Sequence, residues 1–295
     1  MQTRTQRWTV GELLAWTVER FRQVGLDDAR VDAEHLLAQA LACTRMQLYL
    51  QHDRLVDEHE RGPFRELVRR RLAREPVAYI AGRRGFHALD LDLAVDRRVL
   101  IPRPETEHLV DWLLEWLPPR PAPVLRVLDV GTGSGAIALA IKRARDDVEV
   151  TACDRSRDAL AVARGNAEAL GLELTLVESD LLAAIHIPEG GFWAITANLP
   201  YIPTEDLAAL QPEVVRYEPL AALDGGPDGL DLIRRLVDQV TGRGALRPGG
   251  RLFLEIGIGQ DPAVKELLAA AGMVEIEARR DLGGIWRVVS GARPL

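Results

Sequence analysis

A carboxamide and an aromatic ring follow the apolar run FWAI in the stretch ANLPYIP, which spans Ala197 to Pro203. The Asn198 side chain can donate and accept hydrogen bonds, but it does not act as a proton base. Pro200 stiffens the segment, and Tyr201 offers a flat face to a planar ligand. Asn and Pro are also common turn residues, so the stretch either ends a strand in a simple turn or holds a substrate.

A glycine-rich loop in VLDVGTGSGAIALA indicates a nucleotide-type ligand. A hydrophobic strand ends at Asp129, and Gly131, Gly133 and Gly135 lead into a helix. Glycine is needed where the backbone turns sharply and lies against a ligand that a Cβ atom would push away. The N-terminus of the following helix offers unpaired N–H groups.

Acidic residues end the next two predicted strands. Asp154 lies 23 residues beyond Gly131, where a carboxylate can accept hydrogen bonds from both hydroxyls of a ribose. Asp180, in VESDLL, ends the third strand and could reach an adenine amino group. Together these residues predict an adenosine site at the carboxyl ends of the strands.

The same loop also satisfies the dinucleotide-binding pattern through Gly131, Gly133 and Ala136, so a Rossmann dehydrogenase is an alternative. Gly135 could serve only to bring helix and strand close together. The acidic residues at 129, 154 and 180, with a terminal strand pair, favour another family. With them the pattern resembles the S-adenosylmethionine-dependent class I methyltransferases.

In class I methyltransferases that modify a planar amide or exocyclic amine, Asn/Asp-Pro-Pro-Tyr stands where this chain has Asn198–Tyr201. The resemblance implies that the Asn198 oxygen and the Leu199 carbonyl accept the two N–H bonds of the substrate nitrogen, with Tyr201 against its planar group. We therefore expect catalysis by positioning rather than by a base. Leu199 replaces the family's first proline, although Pro200 still biases it toward an extended conformation.

Further stretches narrow the resemblance to the HemK/PrmC family, the peptide-chain-release-factor glutamine methyltransferases. They are EPVAYIAG, LIPRPETE, VRYEPLAAL, LDVGTGSGAIALA and LEIGIGQ, and the similarity covers nearly the whole chain. The family's reaction moves a methyl group from S-adenosylmethionine to the side-chain amide nitrogen of the glutamine in a release factor's Gly-Gly-Gln loop. S-adenosylhomocysteine is the other product.

The resemblance assigns roles to individual residues. The predicted cofactor-binding residues are Gly131, Thr132, Gly133, Ser134, Gly135, Asp154, Asp180, Leu181 and Asn198. The predicted substrate-binding residues are Asn198, Leu199, Pro200 and Tyr201, of which Asn198 and Tyr201 are the predicted catalytic pair. The stretch IPRPETE is expected to line the cofactor pocket.

Periodicity predicts two domains and a linker. Residues 1–81 show helical spacing, with Thr9 and Glu12 placed for a capping box, and are expected to form a helical, substrate-docking domain. Residues 82–106 alternate apolar and polar residues as a hairpin linker would. Strand and helix patterns then alternate over 107–295, which predicts an α/β methyltransferase domain with a seven-stranded sheet.

Composition limits the function classes. The chain has 295 residues and a net charge of −7, but residues 1–85 carry 15 Arg against 12 acidic side chains. The remaining residues are therefore strongly acidic, which argues against a grip on many nucleic-acid phosphates. Cys43 and Cys153 match no metal-ligand spacing, so no metal site is predicted. With no signal-like or membrane-spanning run, we expect a cytoplasmic monomer that binds release factors.

Three other functions stay open at this stage. A sister glutamine methyltransferase that acts on a ribosomal protein would share these catalytic motifs. An adenine methyltransferase of DNA or RNA would use the same amine-holding geometry, but it would have to extract a base and bind a phosphate backbone. A module that binds the cofactor without turnover is the non-enzymatic alternative.

Overall fold

The computed structural model describes residues 7–87, 89–119 and 124–295. The chain divides into two compact units, Met1–Gly82 with Pro212–Tyr217, and Arg83–Gln211 with Glu218–Leu295. The docking role predicted for residues 1–81 and the linker role predicted for 82–106 stay predictions.

The helices, in chain order, are α1 (Val10–Gln23), α2 (Ala29–Ala40), α3 (Arg45–Leu50), α4 (Glu58–Leu72), α5 (Val77–Ala81), α6 (Pro104–Trp116), α7 (Ala136–Ala144), α8 (Arg157–Leu170), α9 (Pro212–Tyr217), α10 (Asp231–Gly242) and α11 (Asp261–Ala270). Short 3-10 helices span Thr204–Ala209 and Leu220–Ala222. The strands are β1 (Trp8–Thr9), β2 (Leu55–Val56), β3 (Arg83–Phe86), β4 (Leu91–Ala94), β5 (Leu125–Val130), β6 (Val148–Asp154), β7 (Thr175–Glu178), β8 (Phe192–Ala197), β9 (Leu246–Glu255), β10 (Val274–Arg280) and β11 (Trp286–Ala292).

The first unit is helical, and local capping explains where its helices begin. The capping box predicted at the start of α1 is present, since the Thr9 side chain accepts from the Glu12 N–H and Glu12 accepts from the Thr9 N–H. Helices α3 and α4 begin with the same arrangement. Helix α4 ends at Leu72, and Arg74 shortly after it has a φ of 71°, which a right-handed helix does not allow.

Helix α9 belongs to the first unit although it comes from much later in the chain. The Glu213 carboxylate accepts hydrogen bonds from Arg71 at 3.0 Å and Arg74 at 3.1 Å. Arg71 also donates to Asp32 at 2.7 Å, and the Tyr217 hydroxyl donates to the Ala73 carbonyl at 2.8 Å. These contacts hold α9 against α4 and the residues that follow it. No local sequence pattern predicts this return of the chain.

A seven-stranded sheet forms the centre of the second unit, in the order β10-β11-β9-β8-β5-β6-β7. The pairs between β5, β6, β7, β8 and β9 are parallel, and β11 pairs antiparallel with both β9 and β10. This confirms the predicted α/β fold class with its terminal strand pair. Strands β3 and β4 form a separate antiparallel hairpin.

Helices cover both faces of the sheet. Val127 of β5 lies in an apolar cluster with residues of α6 and α7, whereas Leu128 lies in a second cluster with residues of α10 and α11. This alternation follows from the two-residue period of a strand. Among the residues that the structure describes, no helix is both long and apolar enough to cross a membrane.

We expect Glu213→Gln to lower the free energy of unfolding by about 1–2 kcal/mol, since Arg71 and Arg74 lose a shared charged acceptor while Arg71 keeps its ion pair with Asp32. Urea unfolding followed by tryptophan fluorescence would measure this change. The matched control is Glu173→Gln, which replaces an exposed carboxylate and should change stability by less than about 0.5 kcal/mol. Equal stability of the two variants would contradict a stabilising role for Glu213.

Candidate active site

A cavity lies in the second unit beside the carboxyl ends of β5, β6 and β8. Of the predicted site residues, those that line it are Gly131, Thr132, Gly133, Ser134, Asp154, Asp180, Leu181, Asn198, Leu199 and Pro200. Gly135 and Tyr201 are not among its lining residues. The stretch IPRPETE also contributes to the wall, through Pro102, Arg103 and Thr106.

Strand pairing brings these residues together. Val130, the last residue of β5, pairs with Cys153 of β6 on one side and Ala197 of β8 on the other. The loop after β5, Asp154 and Asn198 therefore all emerge at one point of the sheet. This is where the chain order reverses, the usual ligand site of open α/β sheets.

The glycine loop is shaped by backbone conformation. Gly133 has a φ of 54°, and no atom lies within 4 Å of the position where a Cβ would stand, so the loop presents bare backbone to the cavity. Gly135 has a φ of 86° and packs against Leu139 and Ala163, where a side chain would meet them at 3.1–3.3 Å. Gly135 thus has a packing role in this structure, but between helices α7 and α8 rather than between a helix and a strand.

A buried carboxyl group supports the loop from below. The Asp129 carboxyl accepts hydrogen bonds from the Thr132 hydroxyl at 2.7 Å and the Thr196 hydroxyl at 2.9 Å. Burial raises the pKa of Asp129 to about 6. Asp129 therefore joins the glycine loop to β8 and makes no contribution to the cavity wall.

Asp154 is oriented before any ligand binds. Its two carboxylate oxygens accept hydrogen bonds from the backbone N–H groups of Gly133 and Ser156, each at 2.9 Å. The Ser156 side chain in turn caps α8 by accepting from the Ala159 N–H at 3.1 Å. Each carboxylate oxygen has a further lone pair with which it can accept a hydroxyl donor.

The next acidic position is engaged on its outer side. Asp180 accepts a hydrogen bond from Arg235 at 2.6 Å, so its carboxylate is partly neutralised at the edge of the cavity. Leu181 is buried and has a φ of 51°, uncommon for a residue with a side chain. The contacts predicted for these two residues with an adenine stay predictions.

The Asn198 carboxamide is held by Thr106 of α6. Its Nδ2 atom donates to the Thr106 hydroxyl oxygen at 3.0 Å. Because the NH₂ group is engaged in this way, Oδ1 is the atom that can accept a hydrogen bond from a ligand N–H. The stretch IPRPETE was expected to line the cofactor pocket, but its threonine had no predicted role in holding the amide.

The backbone after Asn198 is tightly enclosed. A Cβ atom on Gly225 would lie 2.7 Å from the Pro200 carbonyl oxygen, and one on Gly229 would lie 2.2 Å from the Tyr201 carbonyl oxygen. Gln260 donates to the same Tyr201 carbonyl at 2.9 Å. These residues had no predicted role, although the glycine-rich DGGPDG and the glutamine that ends LEIGIGQ are signals that the sequence contains.

Leu199 packs over the glycine loop where the family pattern has proline. The side chain is buried, and a Cβ on Gly131 would come within 2.9 Å of its Cδ2 atom. The substitution therefore fills space against the loop. Glycine at 131 is what permits this contact.

Tyr201 points its hydroxyl into the protein rather than into the cavity. The hydroxyl makes a long hydrogen bond of 3.5 Å to the Glu255 carboxyl, and burial raises the pKa of Tyr201. The flat-face contact predicted for Tyr201 with the substrate stays a prediction.

Two family models match the chain, the PrmC N-terminal domain over residues 12–82 and a methyltransferase domain over residues 127–217. A release factor glutamine methyltransferase from Rhodopirellula baltica is 43% identical over 96% of both chains. One from Geobacter sulfurreducens is 40% identical over 99% of both. A methyltransferase structure from Pyrococcus furiosus, 18% identical, superposes with a TM-score of 0.51 over 70% of this chain and 90% of its own, which supports the fold. This chain belongs to the release factor glutamine methyltransferase family.

Proposed function

We propose that this protein methylates the side-chain amide nitrogen of the glutamine in the Gly-Gly-Gln loop of peptide chain release factors, with S-adenosylmethionine as methyl donor. The observation that carries the proposal is the Asn198 carboxamide, which Thr106 orients with its oxygen free for a substrate N–H beside a glycine-loop cavity. The relatives' names support the release factor as substrate over a ribosomal protein or a nucleic acid.

The cavity residues fit the cofactor. Gly133 leaves space for a ligand to lie against the backbone, and the preset Asp154 carboxylate suits a diol. Ile137, Leu181 and Leu232 supply apolar wall for a flat base. When bound, S-adenosylmethionine supplies a methyl group on a sulfonium centre.

The chain's own contribution is positioning. An amide nitrogen is a weak nucleophile because its lone pair is delocalised, so it must be held in line with the methyl group. The Asn198 Oδ1 atom and the Leu199 carbonyl can each accept one N–H of the substrate NH₂ group. Both acceptors also favour the positive charge that develops on the nitrogen. A carboxamide is no base, so the proton that the nitrogen loses after methyl transfer passes to water and not to Asn198.

The first unit is the proposed docking site for the release factor. Its arginine-rich composition differs from the acidic remainder of the chain, so the two parts would suit partner surfaces of different charge. Since release factors act on ribosomes, we place the reaction in the cytoplasm.

The function is tested with labelled S-adenosylmethionine and an unmethylated release factor. We expect label on the release factor and none on a copy whose Gly-Gly-Gln glutamine is replaced by alanine, because only the first carries the acceptor nitrogen. Label on both would reject the Gly-Gly-Gln glutamine as the acceptor, and label on neither would reject the release factor as the substrate.

Asn198→Ala should lower kcat by roughly 10²–10³-fold, the usual loss when a preorganised hydrogen-bonding group is removed from an active site. The Kd for S-adenosylmethionine should stay within about twofold, because the cofactor's main contacts come from other residues. Steady-state kinetics and calorimetry measure the two quantities. Asp206→Asn, at an exposed position, is the matched control. Unaltered turnover in Asn198→Ala would sink the amide-holding role.

Asp154→Asn should weaken S-adenosylmethionine binding by roughly tenfold to a hundredfold, because a charged hydrogen-bond acceptor becomes a neutral one. Asp158→Asn, on the exposed first turn of α8, should leave binding unchanged. Calorimetry at one pH compares the two. If both variants bind equally well, Asp154 lies outside the cofactor site.

A further inference from the structure

A buried carboxyl group lies behind the Asn-Leu-Pro-Tyr motif, and the reaction derived above does not use it. Glu255 ends β9 and is 1% exposed. The Tyr201 hydroxyl donates to its Oε1 atom at 3.5 Å. Burial raises the pKa of the carboxyl, and the Thr106 side chain acts in the opposite direction. Its Oε2 atom is buried and has no hydrogen-bond partner among the described residues.

Packing alone does not explain a carboxyl at this position. The flanking Leu254 and Ile256 are fully buried, and an apolar side chain at 255 would avoid the cost of burying an ionisable group. Among the charged groups that act on Glu255, Glu105 opposes its ionisation and Arg287 favours it. Arg287 is itself paired with Asp281 at 3.0 Å. Glu255 therefore has no dedicated cationic partner within the described part of the chain.

Thr106 is the residue through which this carboxyl can act on the substrate-holding amide. A hydroxyl group carries one proton, so it can donate one hydrogen bond while it accepts others. If Thr106 donates to Glu255, its oxygen is left to accept the Asn198 Nδ2 atom, as observed at 3.0 Å. This arrangement turns Asn198 Oδ1 toward the ligand. Tyr201, the other end of the motif, is attached to the same carboxyl.

We propose that the ionised Glu255 carboxylate is a positioning residue that fixes the Asn198 carboxamide through Thr106 and anchors Tyr201. The consequence of this role of Glu255 for methyl transfer rests on the function proposed above. The effect of Glu255 on the orientation of Asn198 is independent of any substrate.

The protonation state of Glu255 then controls the orientation of the Asn198 carboxamide. A neutral carboxyl can donate its own proton to the Thr106 oxygen, which frees the threonine proton to turn toward Asn198. The carboxamide can then rotate and present its NH₂ group to the substrate's N–H groups, so that donor would face donor. Burial raises the pKa of Glu255 to about 7, so kcat should fall as the pH falls through this value.

Glu255→Gln tests the proposal with nearly unchanged side-chain volume. We expect kcat to fall by on the order of tenfold to a hundredfold, as for other misplaced catalytic groups, with the cofactor Kd within about twofold. The acidic limb of the pH–kcat profile should disappear. In Glu105→Gln the limb should stay but move to lower pH, because a like charge near Glu255 has been removed. Full kcat with the limb intact in Glu255→Gln would overturn the proposal.

The orientation of Asn198 can be observed directly by NMR. The chain contains two asparagines, Asn166 and Asn198, so ¹⁵N-asparagine labelling yields two side-chain amides. The signals of Asn198 should titrate with Glu255 in the parent protein and not in Glu255→Gln. Asn166 is the internal control, since its amide bonds to the Ala94 and Ser134 backbone and, among the described residues, to no titratable group. Identical Asn198 signals in both proteins at every pH would reject the proposal, even if no release factor is methylated.

A second substitution covers the case in which Glu255→Gln fails to fold. Thr106→Val removes the hydroxyl between Glu255 and Asn198 and should abolish the titration of the Asn198 amide. Thr106→Ser keeps the hydroxyl and should retain that titration. Loss of the titration in both variants, or in neither, would contradict the connection through Thr106.

Discussion

The parallel pairing of β5 with β6 and β8 is the constraint on which the candidate site depends. It brings the ends of three strands to one point, so that residues 131, 154 and 198 meet although they are distant in the chain. Asp129 reinforces this junction, because its buried carboxyl joins the threonine of the glycine loop to the threonine of β8. A carboxyl that holds two neighbouring elements together contributes rigidity, which a cavity for a flat and flexible cofactor requires.

On the substrate side of the site, the surrounding residues hold the backbone and side chains of the motif in place and supply no reactive group. The backbone of the motif is enclosed by two glycines and by the Gln260 carboxamide, while Thr106 orients the Asn198 side chain. None of the motif's own side chains is an effective base at neutral pH, which agrees with a reaction limited by the geometry of a weak nucleophile. Behind the motif lies the buried Glu255 carboxyl, which accepts a long hydrogen bond from the Tyr201 hydroxyl.

The segment that follows the motif makes contacts in the first unit and, further along the chain, in the second unit. Helix α9 belongs to the first unit, where Glu213 accepts from two arginines and Tyr217 donates to a carbonyl. On its C-terminal side, Glu218 accepts a hydrogen bond from Arg103 at 2.6 Å within the second unit, next to the residues of IPRPETE. The chain after the Asn-Leu-Pro-Tyr stretch is therefore held by buried charge pairs in each unit. Removal of one partner from such a pair is costly, because the other charge stays buried without compensation.

The sequence by itself determined the α/β sheet, the capped first helix and the set of loops near the ligand. These features follow from local periodicity and from turns whose backbone conformation favours glycine, as at Gly133. Only the tertiary structure decided which atoms meet across the sheet. The hydrogen bond from Asn198 to Thr106, the inward direction of Tyr201, the burial of Glu255 and the return of α9 to the first unit join residues far apart in sequence. Side-chain orientation at such contacts depends on packing between elements, and no local pattern encodes it.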